Sequence, residues 1–345
     1  FLNTVQALVG AGSRLKAAGE PIVNVNRANK RRGLTVSAYA REDIIMVSVG
    51  ASLSGSTAVT GVVNTLVVNN TVKAESASNA VLTAGEDEGT GGADAGISLD
   101  TEAEDETHLL NIAGSLSASG STGVSATIVV MVLNKNVQAL AHSGTILRST
   151  GNITISAKST DSLMQFAVTL SVSGSTAVGV GANAQVFLNS VQSQLHGIAA
   201  AKGSVSVLSE SDALLINLAV TAGVSGSVAV SPVGVVTYFK GTTDTLIGDA
   251  ASISAGGTAI VKAISNENIS ADAGEIVVGN ALSRGNPAVE HVLDAGLRYN
   301  SGAQWLAENV LPGRDVLAVA GTHGKTTTTT IVTYLLQAAG REPGF

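Results

Sequence analysis

Seven residues near the C-terminal end have the types and order of a phosphate cradle: Gly321, Thr322, His323, Gly324, Lys325, Thr326 and Thr327. They follow the apolar run Asp315–Ala320, DVLAVA, and precede a stretch with apolar residues at Ile331, Tyr334, Leu335 and Leu336. That order reads as strand, glycine loop and helix. Glycines let main-chain N–H groups turn toward an anion, and the helix N-terminus adds the positive end of its dipole. Lys325 would reach the β- and γ-phosphates of a nucleotide, and the Thr326 hydroxyl would ligate Mg²⁺. The general phosphate-loop pattern places Gly at position 319, where this chain has Val319.

Other clusters carry weaker chemistry. GEDEGTGGADAG, Gly85–Gly96, sets Glu86, Asp87, Glu88 and Asp94 on a glycine-rich loop. Carboxylates of this kind suit Ca²⁺, but the spacing matches neither an EF-hand nor a calcium-binding β-roll, so the loop reads as unliganded. Arg27, Lys30, Arg31 and Arg32 beside Gly33 could meet an anion or a glycan, and read more simply as a solvated turn projecting from a strand stack. His142 and His196 lack a second ligand at a fixed offset and are assigned no role. No Ser or Thr has the His and acid neighbours of a nucleophile. With no cysteine, thiolate metal sites and disulfides are excluded.

The elements around the cradle belong to a distinct segment, residues 272–345. It holds Trp305, the chain's one Trp, and three of its five prolines, Pro287, Pro312 and Pro343. Its pattern is α/β: a strand at Glu275–Gly279, and a helix opened by Asn286-Pro287, striped by Val289, Val292 and Leu293 and ended at Gly296. Asp315–Ala320 is the next strand, leading into the loop.

AGTHGKTT, with GNALSRGNPAVE and SGAQWLAENVL upstream, resembles the Mur ligases, especially the branch acting on the murein tripeptide in cell-wall recycling. The resemblance implies ATP and Mg²⁺ as cofactors. It implies UDP-N-acetylmuramate and the L-Ala-γ-D-Glu-meso-diaminopimelate tripeptide as substrates, joined through an acyl phosphate. It carries over Gly321 to Thr327 as the nucleotide-binding residues, with His323 in a positional role. Only the end of a uridine-nucleotide domain and the start of an ATPase domain are matched, so a truncated α/β fragment, incompetent alone, is expected.

Residues 1–271 have a different grammar. Phe166–Gln192, FAVTLSVSGSTAVGVGANAQVFLNSVQ, has counterparts at Val47–Lys73, Asn111–Gln138 and Asn217–Lys240. Their corner glycines, Gly55, Gly120, Gly174 and Gly226, are 65, 54 and 52 residues apart. A second series of alternating strands ends in acids at Asp43, Asp105, Asp161 and Asp212, with steps of 62, 56 and 51. In GNITISAKS the alternation puts Ile153 and Ile155 on one face and Thr154 and Ser156 on the other. These features predict a mostly β, repetitive β-solenoid with about 20 residues per coil and two or three coils per unit. An antiparallel sandwich is the rival architecture. The opening FLNTVQAL matches FLNSVQSQL at Phe187–Leu195, so the chain is expected to begin partway through a repeat.

The region resembles the repetitive passenger segments of bacterial surface proteins of the filamentous-haemagglutinin and autotransporter adhesin type. That resemblance implies a right-handed parallel β-helix serving as a stalk or as a surface for a glycan or protein ligand. Aromatic residues make up only 3% of the 345, which suits stacked strands of small side chains. A net charge of -7 argues against nucleic acid. No apolar run reaches the roughly 20 residues of a membrane-spanning helix. The expected whole is a composite, its solenoid pointing to the cell surface and its ligase segment to the cytoplasm.

Overall fold

The computed structural model describes residues 1–17, 21–23, 30–85, 97–273, 276–278, 299–301, 316–317, 319 and 325–341. The chain divides into two compact units, Phe1–Gly274 and Glu275–Phe345.

In the first unit β1 (Leu2–Val9), β2 (Arg14–Ala17) and β3 (Pro21–Val23) precede a sequence of complete coils. One coil is β4 (Lys30–Ser54), β5 (Thr57–Ser76) and β6 (Val81–Ala84); the next is β7 (Ser98–Ser119), β8 (Thr122–Ala141) and β9 (Ile146–Ser149). The third is β10 (Ile153–Ser173), β11 (Thr176–Leu195) and β12 (Ile198–Ala201). The fourth is β13 (Val205–Ser225), β14 (Val228–Val230), β15 (Val233–Ile247) and β16 (Ser252–Ala255), after which β17 (Ala259–Ala273) starts another turn.

Equivalent strands of successive coils pair in parallel and build three sheets. β4, β7, β10, β13 and β17 form one broad sheet, β1, β5, β8, β11 and β14/β15 the second, and β2, β6, β9, β12 and β16 a narrow third. The parallel stacking is solenoid-like and rules out the antiparallel sandwich; among described strands of this unit only β3 pairs antiparallel, with the start of β4. Lys30, Arg31 and Arg32 therefore stand on a paired strand rather than in a projecting turn, while Arg27 lies outside the described residues.

Register corrects the expected coil length. Ile153 pairs with Leu99 on one side and Val205 on the other, steps of 54 and 52 residues, so each sequence unit is a single coil and not two or three. The strands are long because each crosses the full width of a broad sheet. The 65-residue step from Gly33 to Ser98 is longer because Gly85–Gly96 is inserted between β6 and β7.

Broad sheets meet at the Gly-Ser corners, and the close approach there explains the repeated glycine. A Cβ on Gly120 would lie 2.2 Å from the Gly55 carbonyl oxygen, and one on Gly174 2.2 Å from that of Gly120. Ser175 N donates to Ser121 O at 3.0 Å, so the ladder continues through the bend. The acidic series does not stack in this way: Asp43 pairs with His108 and Asp161 with Thr107. Asp105 and Asp161 face inward while Asp43 and Asp212 do not, as expected when a marker slips by an odd number of residues on a period of two.

Pro232 interrupts the last strand of the second broad sheet, between β14 and β15. Proline gives no ladder donor, and an edge strand tolerates the loss.

The second unit has β18 (Ile276–Val278) parallel to β19 (Tyr299–Ser301), and a helix, α1 (Lys325–Ala338). β18 lies within the expected Glu275–Gly279 strand. β19 was not anticipated. Val316, Leu317 and Val319 are in no strand, and the rest of Asp315–Ala320 and the expected helix from Asn286 to Gly296 lie outside the described residues. α1 ends in a Schellman cap: Gly340 has φ +75°, its N–H donates to Gln337 O at 3.0 Å, and Arg341 N donates to Leu336 O at 3.0 Å.

Candidate functional site

Of the nucleotide-binding set, Gly321, Thr322, His323 and Gly324 lie outside the described residues. Lys325 and Thr326 open α1, with side chains outside the described set, and Thr327 follows, exposed. Ile331, Tyr334 and Leu335 are exposed, so the apolar stripe of α1 is uncovered among the described residues. Glu86, Asp87, Glu88 and Asp94 also lie outside them. Among the described residues no group of three or more His, Cys, Asp or Glu could hold a metal ion. His196 Nε2 sits 3.1 Å from Gln194 Oε1, an ordinary surface contact.

The most concentrated chemistry in the described structure is elsewhere, between the broad sheets. Lys135 on β8 is fully buried, with Nζ 2.7 Å from Asp161 Oδ1 on β10 and 3.3 Å from Asp105 Oδ2 on β7. Asn70 Nδ2 donates to Asp105 Oδ2 at 3.4 Å, and Ser159 Oγ to Asp161 Oδ2 at 2.8 Å. Glu42 on β4 completes the group, accepting from Asn3 Nδ2 at 2.6 Å and from Thr107 Oγ1 at 3.2 Å. Burial pushes the Asp161 carboxyl up, with Lys135 and Ser159 opposing. Burial, then the nearby Asp105 carboxylate, pushes Glu42 up to about 7.

Four coils thus contribute to one water-excluded charge cluster. No substrate reaches it, so its chemistry is internal: one ammonium holds two carboxylates from neighbouring coils in one register. The repeat did not reveal it, because Asp105 and Asp161 read simply as members of one acidic series with Asp43 and Asp212. The signal was parity: Lys135 falls on the same alternate positions as Leu133, Val137 and Ala139, all buried.

Glu42 makes stability depend on pH. An unfolded Glu ionises near about 4.3. Between that value and about 7 the folded chain keeps a proton that the unfolded chain has lost. The contribution is therefore full at the acid end and lost as pH rises through that window. Glu42→Gln, neutral at every pH, is expected to flatten the slope, read as urea midpoints at about pH 5 and about pH 8.

Comparison with known proteins adds one segment. A stretch of 70 residues, 20% of this chain, is 56% identical to the UDP-N-acetylmuramate–L-alanyl-γ-D-glutamyl-meso-2,6-diaminoheptandioate ligase of Haemophilus influenzae, covering 16% of that protein. The Escherichia coli K12 protein of the same name matches at 56% over 70 residues, 15% of its length. A UDP-N-acetylmuramate–L-alanine ligase of Cereibacter sphaeroides is 46% identical over 72 residues, 21% of this chain and 15% of that protein. Part of the chain is similar to Mur ligases. The chain spans about a sixth of the length of these relatives. No family model matches, and no solved structure matches.

Proposed function

We propose that the chain is a composite: an adhesin-type β-solenoid that acts as a stalk or binding surface, joined to an ATP-binding segment similar to part of a murein peptide ligase, which does not itself carry out ligation. The observation that carries this reading is the parallel stacking of successive coils among the described residues of the first unit, in which the Lys135 cluster is sealed inside rather than presented to a substrate. The surface offers binding features instead. On the narrow sheet an open groove of about 180 Å³ is lined by Thr83, Arg148, Thr150, Ala200, Lys202 and Ser254. Two cations among hydroxyls suit a glycan or an acidic protein segment. The solenoid would work at the cell surface, whereas the ligase segment belongs beside cytoplasmic ATP.

The second reading, favoured by the 56% identity, is an ATP-dependent ligase that joins the L-Ala-γ-D-Glu-meso-diaminopimelate tripeptide to UDP-N-acetylmuramate. In it Gly321, Thr322, His323, Gly324, Lys325, Thr326 and Thr327 hold ATP, with Thr326 on Mg²⁺. Lys325 supplies positive charge to the phosphates, and the start of α1 supplies its dipole.

Calorimetric titration with Mg-ATP and a ligation assay with both substrates separate the readings. Weak binding abolished by Lys325→Ala, with no ligated product, is the expected result. Product formation by the purified chain overturns the composite reading, and nucleotide binding indifferent to Lys325→Ala removes the assigned site.

A further inference from the structure

The polarity of the coils inverts along their length. Near the narrow sheet, side chains behave conventionally: Ile153, Ile155 and Val137 are buried, while Thr154, Ser156 and Lys158 point outward. Beyond Leu163 on β10 the pattern reverses. Gln165, Thr169, Ser171 and Ser173 face inward and are buried, while the alternate positions, Met164, Phe166, Val168, Leu170 and Val172, face out. The returning strand β11 mirrors this, with Gly179, Gly181, Asn183 and Gln185 inward and Val178, Val180 and Val186 outward.

Every coil repeats the inversion. Ile44–Val68, Leu109–Leu133, Leu163–Leu188 and Leu215–Phe239 contain no Asp, Glu, Lys, Arg or His, and each is folded at its Gly-Ser corner. The result is a thin, charge-free lobe, apolar on both outer faces. Val168 is 50% exposed, and at the stack's ends Val49 and Val236 reach 78% and 63%.

Inside the lobe, side-chain donors reach main-chain carbonyls across a narrow gap, while Gln165 Oε1, Asn183 Oδ1 and Gln185 Oε1 have no protein partner. Ser125 Oγ donates to Leu170 O at 3.0 Å, Asn183 Nδ2 to Leu218 O at 2.7 Å, and Gln165 Nε2 to Val129 O at 2.9 Å. Small residues let the sheets approach: a Cβ on Gly181 would lie 2.4 Å from Thr221 Oγ1. In water such a lobe leaves its apolar surface exposed on both sides, a liability in soluble proteins. In hydrocarbon that cost reverses, because the apolar side chains face out and the polar ones are kept inside, away from lipid.

Height decides between occupants. The outward apolar positions run from Leu110 to Ala118 on β7 and from Met164 to Val172 on β10, about 26 Å each at roughly 3.3 Å per residue. On β13 they run from Leu214 to Val224, about 33 Å on the same rise. A bilayer's hydrocarbon is about 30 Å thick, and the apolar band of membrane β-barrels about 25 Å tall. The band starts at the same level on both broad sheets and ends at the polar Ser-Gly-Ser-Thr corner, so it encircles the lobe. A second copy packed face to face would cover one side only.

We infer that the corner lobe is a membrane-inserting element whose partner is the hydrocarbon of a lipid bilayer. The charged half of each coil stays in water and the Ser-Gly corners reach the opposite headgroups. Sheet edges at the two ends of the stack are not satisfied by lipid, so insertion requires those edges to be paired with further strands.

The test is flotation of the purified chain with vesicles of neutral phosphatidylcholine. The folded chain is expected to float, and Val168→Lys, on the outer lobe face, to lower partitioning by roughly tenfold or more. Because the chain has no cysteine, Val172→Cys and Thr154→Cys each carry one polarity-sensitive dye. Emission from position 172 should shift to the blue with vesicles, and emission from 154 should not. A folded chain that stays at the bottom of the gradient with no shift at 172 overturns the proposal. So does a vesicle-independent oligomer that shields position 172, which would make a second copy the occupant.

Discussion

Lys135→Met is expected to destabilise the first unit by about 3–5 kcal/mol, measured as the urea midpoint at neutral pH. The loss comes less from the missing attraction than from what remains. Asp105 and Asp161, with side chains 0% exposed, would keep their charges in a dry interior with no counter-ion. Burial already pushes the Asp161 carboxyl up, so its protonation should shrink the deficit as pH falls. The triple variant Lys135→Met, Asp105→Asn, Asp161→Asn is expected to recover most of the loss, since a buried ion network replaced as a whole is near neutral in stability. Equal destabilisation by the single and triple variants would show that the cluster acts by packing rather than by charge.

Gly174→Ala should cost about 2–4 kcal/mol, the range for forcing atoms into a packed site. The added Cβ meets the Gly120 carbonyl oxygen at 2.2 Å, and main chain cannot rotate aside as a side chain can. The next corner, Gly226, lies in the same column, 2.4 Å by the same measure from Gly174 O. Gly61→Ala is the control, because nothing lies within 4 Å of its Cβ position. A thermal melt should separate the two variants by several degrees. If both melt together, the corner glycines are not a steric requirement.

Much of the first unit was legible because stacking acts on sequence directly. Each coil sits on an equivalent coil, so the close contact at Gly120 is repeated at Gly174 and Gly226 and leaves a glycine in each unit. Alternation gave the facing of Ile153 and Ile155 for the same reason. Coil length was misjudged because strand length in a repeat depends on how many residues cross each sheet, and the corners alone do not say whether a unit closes once or several times. The acids misled because a shift of an odd number of residues moves a side chain to the other face, so one series in sequence divides into two inward and two outward acids.

The proposed nucleotide-binding set, Gly321 to Thr327, rests on local order alone, since a glycine loop ahead of a helix is a contiguous feature. Lys135, Asp105, Asp161 and Glu42 could not, because they are separated by tens of residues and meet only through inter-coil register.

Local repetition was enough to specify that this chain coils, where it bends, and that its last segment is written differently from the rest. Three-dimensional stacking settled which side of each strand looks inward. That choice sealed an ammonium among carboxylates in one half of each coil and turned valines outward in the other, since facing depends on how two sheets are laid together and not on the order of residues along either one.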